Sequence, residues 1–353
     1  MSGGIEQLVA RGAQDVFLTG DPQVSFFRSA YKRYTNFSMC RSRGLIQGEP
    51  SAGGMSSVRF ERKGDLLGHT YLVQKSAGLI TPFNHNLVDH IELLVGGQII
   101  DTQYTDYASN IYNAVQAKNY SDAFGPEDTF YPLRFFFCNS STTAMPLVAL
   151  QYHDVEIRIY WANNAAVDAD NFEVWSNYTY LDTGEREYFA STPLNMLVKQ
   201  VHRISPSSEQ VQELNFNHPV SYIATDKLEA AGNQWGNPTN QTDGQQVKLT
   251  LKINGSDVGE PMEINPHYNA VPTKYHTAYS GKAGGGAAVT APLFIIPFGI
   301  DLSSDQPTGS LNFSRLDSAR LITSVGIFSA PLYAVNFNVL KIDNGMGGMM
   351  FAN

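Results

Sequence analysis

Cysteine is almost missing from this chain: Cys40 and Cys138 are the only two among 353 residues. Two thiols make no disulfide framework, so the sequence points to folding in a reducing compartment. Long hydrophobic runs are missing too. The longest, LFIIPFGI at 293–300, contains Pro297 and falls well short of the ~20 apolar residues that span a bilayer. It reads as a buried strand. The N-terminus, MSGGIEQLVARG, lacks the basic-then-apolar layout of a signal peptide. The Asn-x-Ser/Thr triplets at Asn36, Asn139, Asn177, Asn240, Asn254 and Asn312 therefore read as chance.

Catalytic and metal-binding patterns are absent as well. The histidines are His69, His85, His90, His153, His202, His218, His267 and His276, and no two have the His-x-His spacing that presents a metal site from one strand. There is no Cys-x-x-Cys, no His-Glu-x-x-His and no Gly-x-Ser-x-Gly elbow. His90-x-Glu92 puts two side chains on one strand face, but further ligands are lacking, so His90 reads as a structural or surface histidine. SGKAGGG (280–286) resembles a phosphate loop only faintly, because Ala283 stands where Ser or Thr would hold the metal. No carboxylates are paired as acid and base. The chain reads as a protein without enzymatic chemistry and without a cofactor.

Charge is sparse, at 16%, and the balance is −9. An acidic chain argues against wholesale binding of nucleic-acid phosphate. The first 44 residues run the other way, with six basic groups against three acidic ones. Here cations and aromatics interleave: Phe26, Phe27, Arg28, Tyr31, Lys32, Arg33 and Tyr34. Stacking on bases with cations on phosphate is one reading of such a run. The plainer one, in an acidic chain that can assemble with itself, is an arm whose aromatics dock in a groove and whose cations pair with an acidic neighbour.

What the chain does have is a repeat. VDHIELLVGGQIIDTQY (88–104) is answered by QVKLTLKINGSDVGEPM (246–262), each an alternating strand, a Gly-containing turn and a second extended run. Three further pairs keep the same order: YPLRFFF (131–137) with APLFIIPF (291–298), HDVEIRIYW (153–161) with LDSARLITS (316–324), and SNYTYLDTG (176–184) with NFNVLKIDNG (336–345). An offset near 160 residues, as from Gly97 to Gly255 or Pro132 to Pro292, implies two copies of one β-rich unit.

Short strands set off by turn residues, with 12% aromatics, imply an all-β protein of two antiparallel barrels or sandwiches. The jelly roll is the natural candidate. VEIRIYW (155–161) alternates as a strand with one buried face. Thr105 or Asp106 is placed to cap an inserted helix carrying Tyr107, Ile111, Ala114 and Val115. Residues 5–12 read as a short helix, 45–54 as a loop, and 185–200 as the boundary between copies. The stretches 226–246, 275–290 and 163–171 read as surface loops. The closing NVLKIDNGMGGMMFAN reads as a strand and an apolar tail that packs against something.

These residues match a known pattern. QLVARGAQDVFLTGDPQVSFFRSAYKRYTNFS (7–38), VDHIELLVGGQIID (88–101), TTAMPLVALQYHDVEIRI (142–159), LNFSRLDSARL (311–321) and YAVNFNVLKIDNGMGGMMFAN (333–353) resemble, in order, the major capsid proteins of nucleocytoplasmic large DNA viruses. The resemblance implies two tandem eight-stranded antiparallel jelly rolls with short inserted helices: an arm at 1–44, a first roll at 45–190 and a second at 191–353. It implies a homotrimer with a pseudo-hexagonal outline that tiles an icosahedral shell over an internal membrane, meets minor and penton capsid proteins, binds no genome directly and assembles in the host cytoplasm. On this resemblance Phe26, Phe27, Arg28, Tyr31, Lys32, Arg33 and Tyr34 are assembly contacts at the capsomer base. Asn233, Trp235, Asn237, Tyr279 and Lys282 mark modest outer loops of a short family member. The rival readings are a minor or vertex capsid protein, a tandem jelly-roll glycan binder using Trp235 and Tyr279, and a cupin-like metalloenzyme, which the missing His cluster opposes.

Overall fold

The computed structural model describes Phe17 and residues 20–351, apart from 77, 82, 117–128, 164–166, 168–170, 208, 226–228, 231–232, 235–247, 279–292, 325–327 and 329. The chain divides into two compact units, Met1–Asn36 and Phe37–Asn353. In the first unit residues 22–36 carry bends but no helix or strand, and the helix read over 5–12 lies outside the described residues.

The second unit begins with β1 (Phe37–Gly44), β2 (Ile46–Gln47), β3 (Met55–Arg59), β4 (Leu66–Ser76), β5 (Leu79–Ile80), β6 (Val88–Val95), β7 (Gln98–Tyr104), β8 (Tyr131–Pro132), β9 (Met145–Pro146), β10 (Val155–Trp161) and β11 (Asn171–Leu181). They pair as two antiparallel sheets. One has the order β1-β11-β4-β5, with β8 and β9 also on β4; the other runs β2-β3-β10-β6-β7. The sheets close on a core that includes Leu72, Ile91, Leu93, Phe135, Ile157, Ile159 and Val174. β10 shows why: Val155, Ile157, Ile159 and Trp161 are buried, while Glu156, Arg158 and Tyr160 alternate with them on the other face.

The pattern then repeats. β12 (Leu194–Ile204), β13 (Val211–Glu213), β14 (Pro219–Thr225), β15 (Glu229–Ala230), β16 (Asn233–Gln234), β17 (Lys248–Ile253), β18 (Ser256–Asp257), β19 (Met262–Glu263), β20 (Phe294–Pro297), β21 (Leu311–Asn312), β22 (Ala319–Thr323), β23 (Leu332–Asp343) and β24 (Met346–Met349) follow. Their sheets run β12-β23-β14-β20 and β13-β22-β17-β18, which follow β1-β11-β4-β8 and β3-β10-β6-β7 of the first half. β15 and β16 form a separate short hairpin. Two sheets whose strands, singly or in pairs, alternate along the chain make a jelly roll, and the chain holds two.

The equivalent turns are built alike. Gly96 and Gly97 have φ of 59° and 83°, and Asn254 and Gly255 have φ of 49° and 80°, the double positive φ that a tight two-residue hairpin needs. The register corrects one repeat pairing. Pro132 lies opposite Tyr71, and its counterpart opposite Tyr222 is Pro297, not Pro292.

The sequence reading leaves residues 37–44 in the arm, yet they form β1, an edge strand paired along its length with β11. FSMCRSRG alternates too little to announce a strand, and its side chains are mostly exposed. Ile46 and Gln47, read as loop, pair with β3. The inserted helix is a π-helical turn, Tyr107–Ile111, that runs into α1 (Tyr112–Gln116). Neither expected cap is made: Asp106 makes no side-chain cap bond, and the Thr105 hydroxyl donates to the Val88 carbonyl at 2.6 Å. Other short helices are α2 (Phe136–Asn139), α3 (Thr183–Ser191), α4 (Ile264–His267) and α5 (Ala270–His276). Asp182 caps α3, its carboxylate accepting from the Thr183 N–H at 2.8 Å.

Candidate assembly surfaces

The most developed surface within the second unit joins the two rolls. The outer face of β14, β20 and β23 is apolar. Tyr222, Ala224, Ile295, Tyr333 and Val335 cluster there with Tyr107, Ile111, Tyr112 and Val115 from the inserted helix of the first roll. Both faces of β23 are therefore buried over Leu332–Phe337, one in its own roll and one in the joint.

Polar groups fix the register of that joint. The Tyr107 and Tyr222 hydroxyls lie 2.8 Å apart in the buried interior, and burial pushes both phenols above their ordinary range. Asp101 on β7 accepts from the backbone N–H of Val201 on β12 at 2.9 Å. Burial drives the Asp101 carboxyl up to about 7, against the opposing pull of the Val201 and Thr102 N–H groups. Gln200 donates to the Ile100 carbonyl, while its own carbonyl accepts from Asn338 at 3.1 Å. β7 and β12 are edge strands of their sheets, so these side chains satisfy backbone groups that pairing leaves open.

The C-terminal hairpin reaches back onto the first roll, as the apolar tail suggested. His153 Nδ1 lies 2.8 Å from the Gly347 carbonyl oxygen and 3.1 Å from the Gly347 N–H. The Tyr152 N–H donates to the Gly345 carbonyl at 2.9 Å, and the Met349 N–H to Gln98 Oε1 at 3.2 Å.

The predicted base contacts are on the surface. Phe26, Phe27, Tyr31 and Tyr34 are each at least 85% exposed, and Arg28, Lys32 and Arg33 are exposed between them. Of the predicted outer-loop residues, Asn233 begins β16. Trp235, Asn237, Tyr279 and Lys282 lie outside the described residues. The sequence pattern marks Tyr107, Ile111 and Val115 as a helix stripe but does not mark the joint as a surface.

His90 stacks on Tyr160 at 4.3 Å and sits 2.7 Å from the Asp89 carboxylate. Glu92 accepts from the Tyr160 hydroxyl at 3.1 Å. Among the described residues no three His, Cys, Asp or Glu side chains are grouped so as to hold a metal ion, and no helix is long and apolar enough to cross a membrane. Burial pushes the Cys138 thiol up to about 12, while Cys40 is exposed on β1.

Comparison with known proteins gives this architecture its context. Residues 25–183 match the family described as "Major capsid protein N-terminus", and residues 185–348 match "Large eukaryotic DNA virus major capsid protein". The major capsid protein of Pyramimonas orientalis virus is 31% identical over 402 aligned positions, covering all of both chains. That of Paramecium bursaria Chlorella virus 1 is 29% identical over 450 positions, again covering both. These alignments are longer than the 353 residues here, so the relatives carry insertions that this chain lacks. A solved structure described as "PBCV-1 virus capsid, quasi-atomic model" superimposes with a TM-score of 0.74 at 26% identity, over 93% of this chain and 100% of that one. The Faustovirus major capsid protein shares the fold at a TM-score of 0.62 and 10% identity, over 94% of each chain. Two jelly rolls in tandem, matched from end to end by shell proteins, settle the assignment: the chain belongs to the major capsid protein family of large eukaryotic DNA viruses, whose members form the virion shell.

Proposed function

We propose that three copies of this chain close into a capsomer with a six-sided outline, and that such capsomers tile an icosahedral shell. The single observation that carries this is the joint between the two rolls. One roll offers a helix and a strand edge, and the next receives them on the outer face of a sheet. Donor and receiver are different surfaces, so the contact is heterologous, and a heterologous contact of fitting rotation closes into a ring. Two rolls per chain make three chains the natural closure of a six-roll ring.

The domain division that goes with this reading is an arm ending at Asn36, a first roll to about residue 190 and a second from 191. The arm's exposed aromatics and cations then serve as contacts at the inner side of the shell, with neighbouring or minor and penton capsid proteins or with anionic headgroups of an internal membrane. Assembly takes place in the host cytoplasm, in keeping with the scarcity of cysteine.

Size-exclusion chromatography with light scattering tests the closure. The expected particle has three times the 38.9 kDa of one chain and a six-sided face in negative stain. A chain that stays single at high concentration overturns the reading. Deleting residues 1–36, which leaves β1 whole, tests the arm. Trimers are expected to persist while shells fail; intact shells would remove the arm from assembly.

A further inference from the structure

The outer face of β1, β11 and β4 in the first roll is the register equivalent of the face that β12, β23 and β14 present to the joint. Val335 lies opposite Val201 and Tyr222. Trp175 holds the same place, opposite Arg43 and Tyr71. The joint side is buried, with Tyr222 and Val335 both 3% exposed. Its counterpart is open: Tyr71 and Trp175 are half-buried, and Met39, on the same face as Arg43, is 63% exposed.

The donor surface repeats as well. The inserted helix of the first roll lies between β7 and β8, and α4 and α5 lie between β18 and β20. The first helix buries Tyr107, Ile111 and Val115 against the second roll. α5 instead leaves Val271 39% and Tyr275 74% exposed, four residues apart on one face. At the β7 edge, Asp101 is buried in the joint. Just beyond the β18 edge, Val258 is 46% exposed and Glu260 is exposed.

We infer that Val258, Glu260, Val271 and Tyr275 of one copy dock on the Met39, Arg43 and Trp175 face of a second copy, repeating between chains the joint that each chain makes within itself. The inference rests on the closed-trimer reading and assigns its surfaces. Charge favours this occupant. Glu260 is exposed just beyond the donor edge, while Arg41 and Arg43 stand exposed on the receiving strand. Where the internal joint has Val201 and Tyr333, the receiving face has Arg43 and Glu173, linked at 2.9 Å. The joint between chains is thus the more polar of the two, and salt weakens it selectively.

Two measurements test this. The first is hydroxyl-radical footprinting of the unmodified assembly. Tyr275 is expected to oxidise at least tenfold more slowly than in the denatured chain, as the buried Tyr222 does. The second mixes two variants. Tyr275→Glu spoils the donor, and Met39→Glu with Arg43→Glu spoils the receiver. Each alone is expected to lose the three-copy species. Because each retains the surface that the other lacks, their mixture is expected to give a species of two copies joined once. A wild-type protein that is not three copies in size overturns the proposed function itself. A three-copy wild type in which Tyr275 stays as reactive as in the denatured chain overturns only this inference. So do two folded variants that remain trimeric alone, or that yield no two-copy species together. If either variant does not fold, the footprint alone decides.

Discussion

The carboxylate of Asp101 in the first roll accepts a 2.9 Å hydrogen bond from the backbone N–H of Val201 in the second. The pair couples the joint to pH. Asp101 titrates near 7 in the fold against an ordinary 3.8, so between those values the folded chain holds a proton that the unfolded chain has lost. The stability it contributes is fully present below about pH 4 and is lost as pH rises through 7. The shift corresponds to up to about 4 kcal/mol. The melting temperature is therefore expected to be higher at pH 5 than at pH 8. Asp101→Asn, which keeps an acceptor and cannot ionise, is expected to flatten that slope. An unchanged slope in the variant, followed by calorimetry, would take the switch away from Asp101.

Gly96 and Gly97 share a turn and a positive φ, yet they differ in what surrounds them. A side chain at Gly97 meets nothing within 4 Å, whereas one at Gly96 overlaps the His153 imidazole. That ring is the one held against Gly347 of the C-terminal hairpin. Both Ala variants carry the backbone strain of φ > 0, on the order of 1 kcal/mol. Gly96→Ala is expected to cost a further ~1–2 kcal/mol by displacing His153, and to speed amide exchange at Gly347. Equal losses in urea unfolding for the two variants would mean that the imidazole moves aside freely.

Much of the fold was open to sequence reasoning, for reasons that particular residues make plain. Gly96-Gly97 and Asn254-Gly255 announce tight turns because few residues other than Gly and Asn tolerate φ > 0. Val155–Trp161 announces a strand because one face meets the core and the other does not. β1 is not legible in the sequence because an edge strand exposed on both faces has no hydrophobic period. The repeat register slips at Pro132 because β8 and β20 are too short for pattern to outweigh a chance Pro-Leu match. After β11 and β23 the two halves part: Gly184, which the repeat pairs with Gly345, lies in α3, while Gly345 turns a hairpin. The joint leaves a signal in the sequence. VSYIAT in β14 and LYAVNF in β23 are buried residue after residue. Such continuity means burial on both faces, whereas NFEVWSNYTYL in β11 still alternates over its first half. That contrast separates the face already covered within the chain from the one left open.

The Tyr107–Tyr222 pair offers the most direct energetic test of the joint. The two hydroxyls are 2.8 Å apart, and both residues are nearly fully buried. Removing one leaves the other without this bond in a place where water does not readily replace it, which costs about 1–3 kcal/mol. Removing both takes away the bond together with the need for it, so the double Phe variant is expected to lie close to the wild type. Tyr107→Phe and Tyr222→Phe should therefore each destabilise, and their combination should fall well short of the sum. A coupling of at least ~1 kcal/mol is expected from the double-mutant cycle, measured by chemical unfolding of all four proteins. Additive losses would mean that each hydroxyl finds another partner when left alone. The joint would then be held by its apolar faces, with the phenols as bystanders.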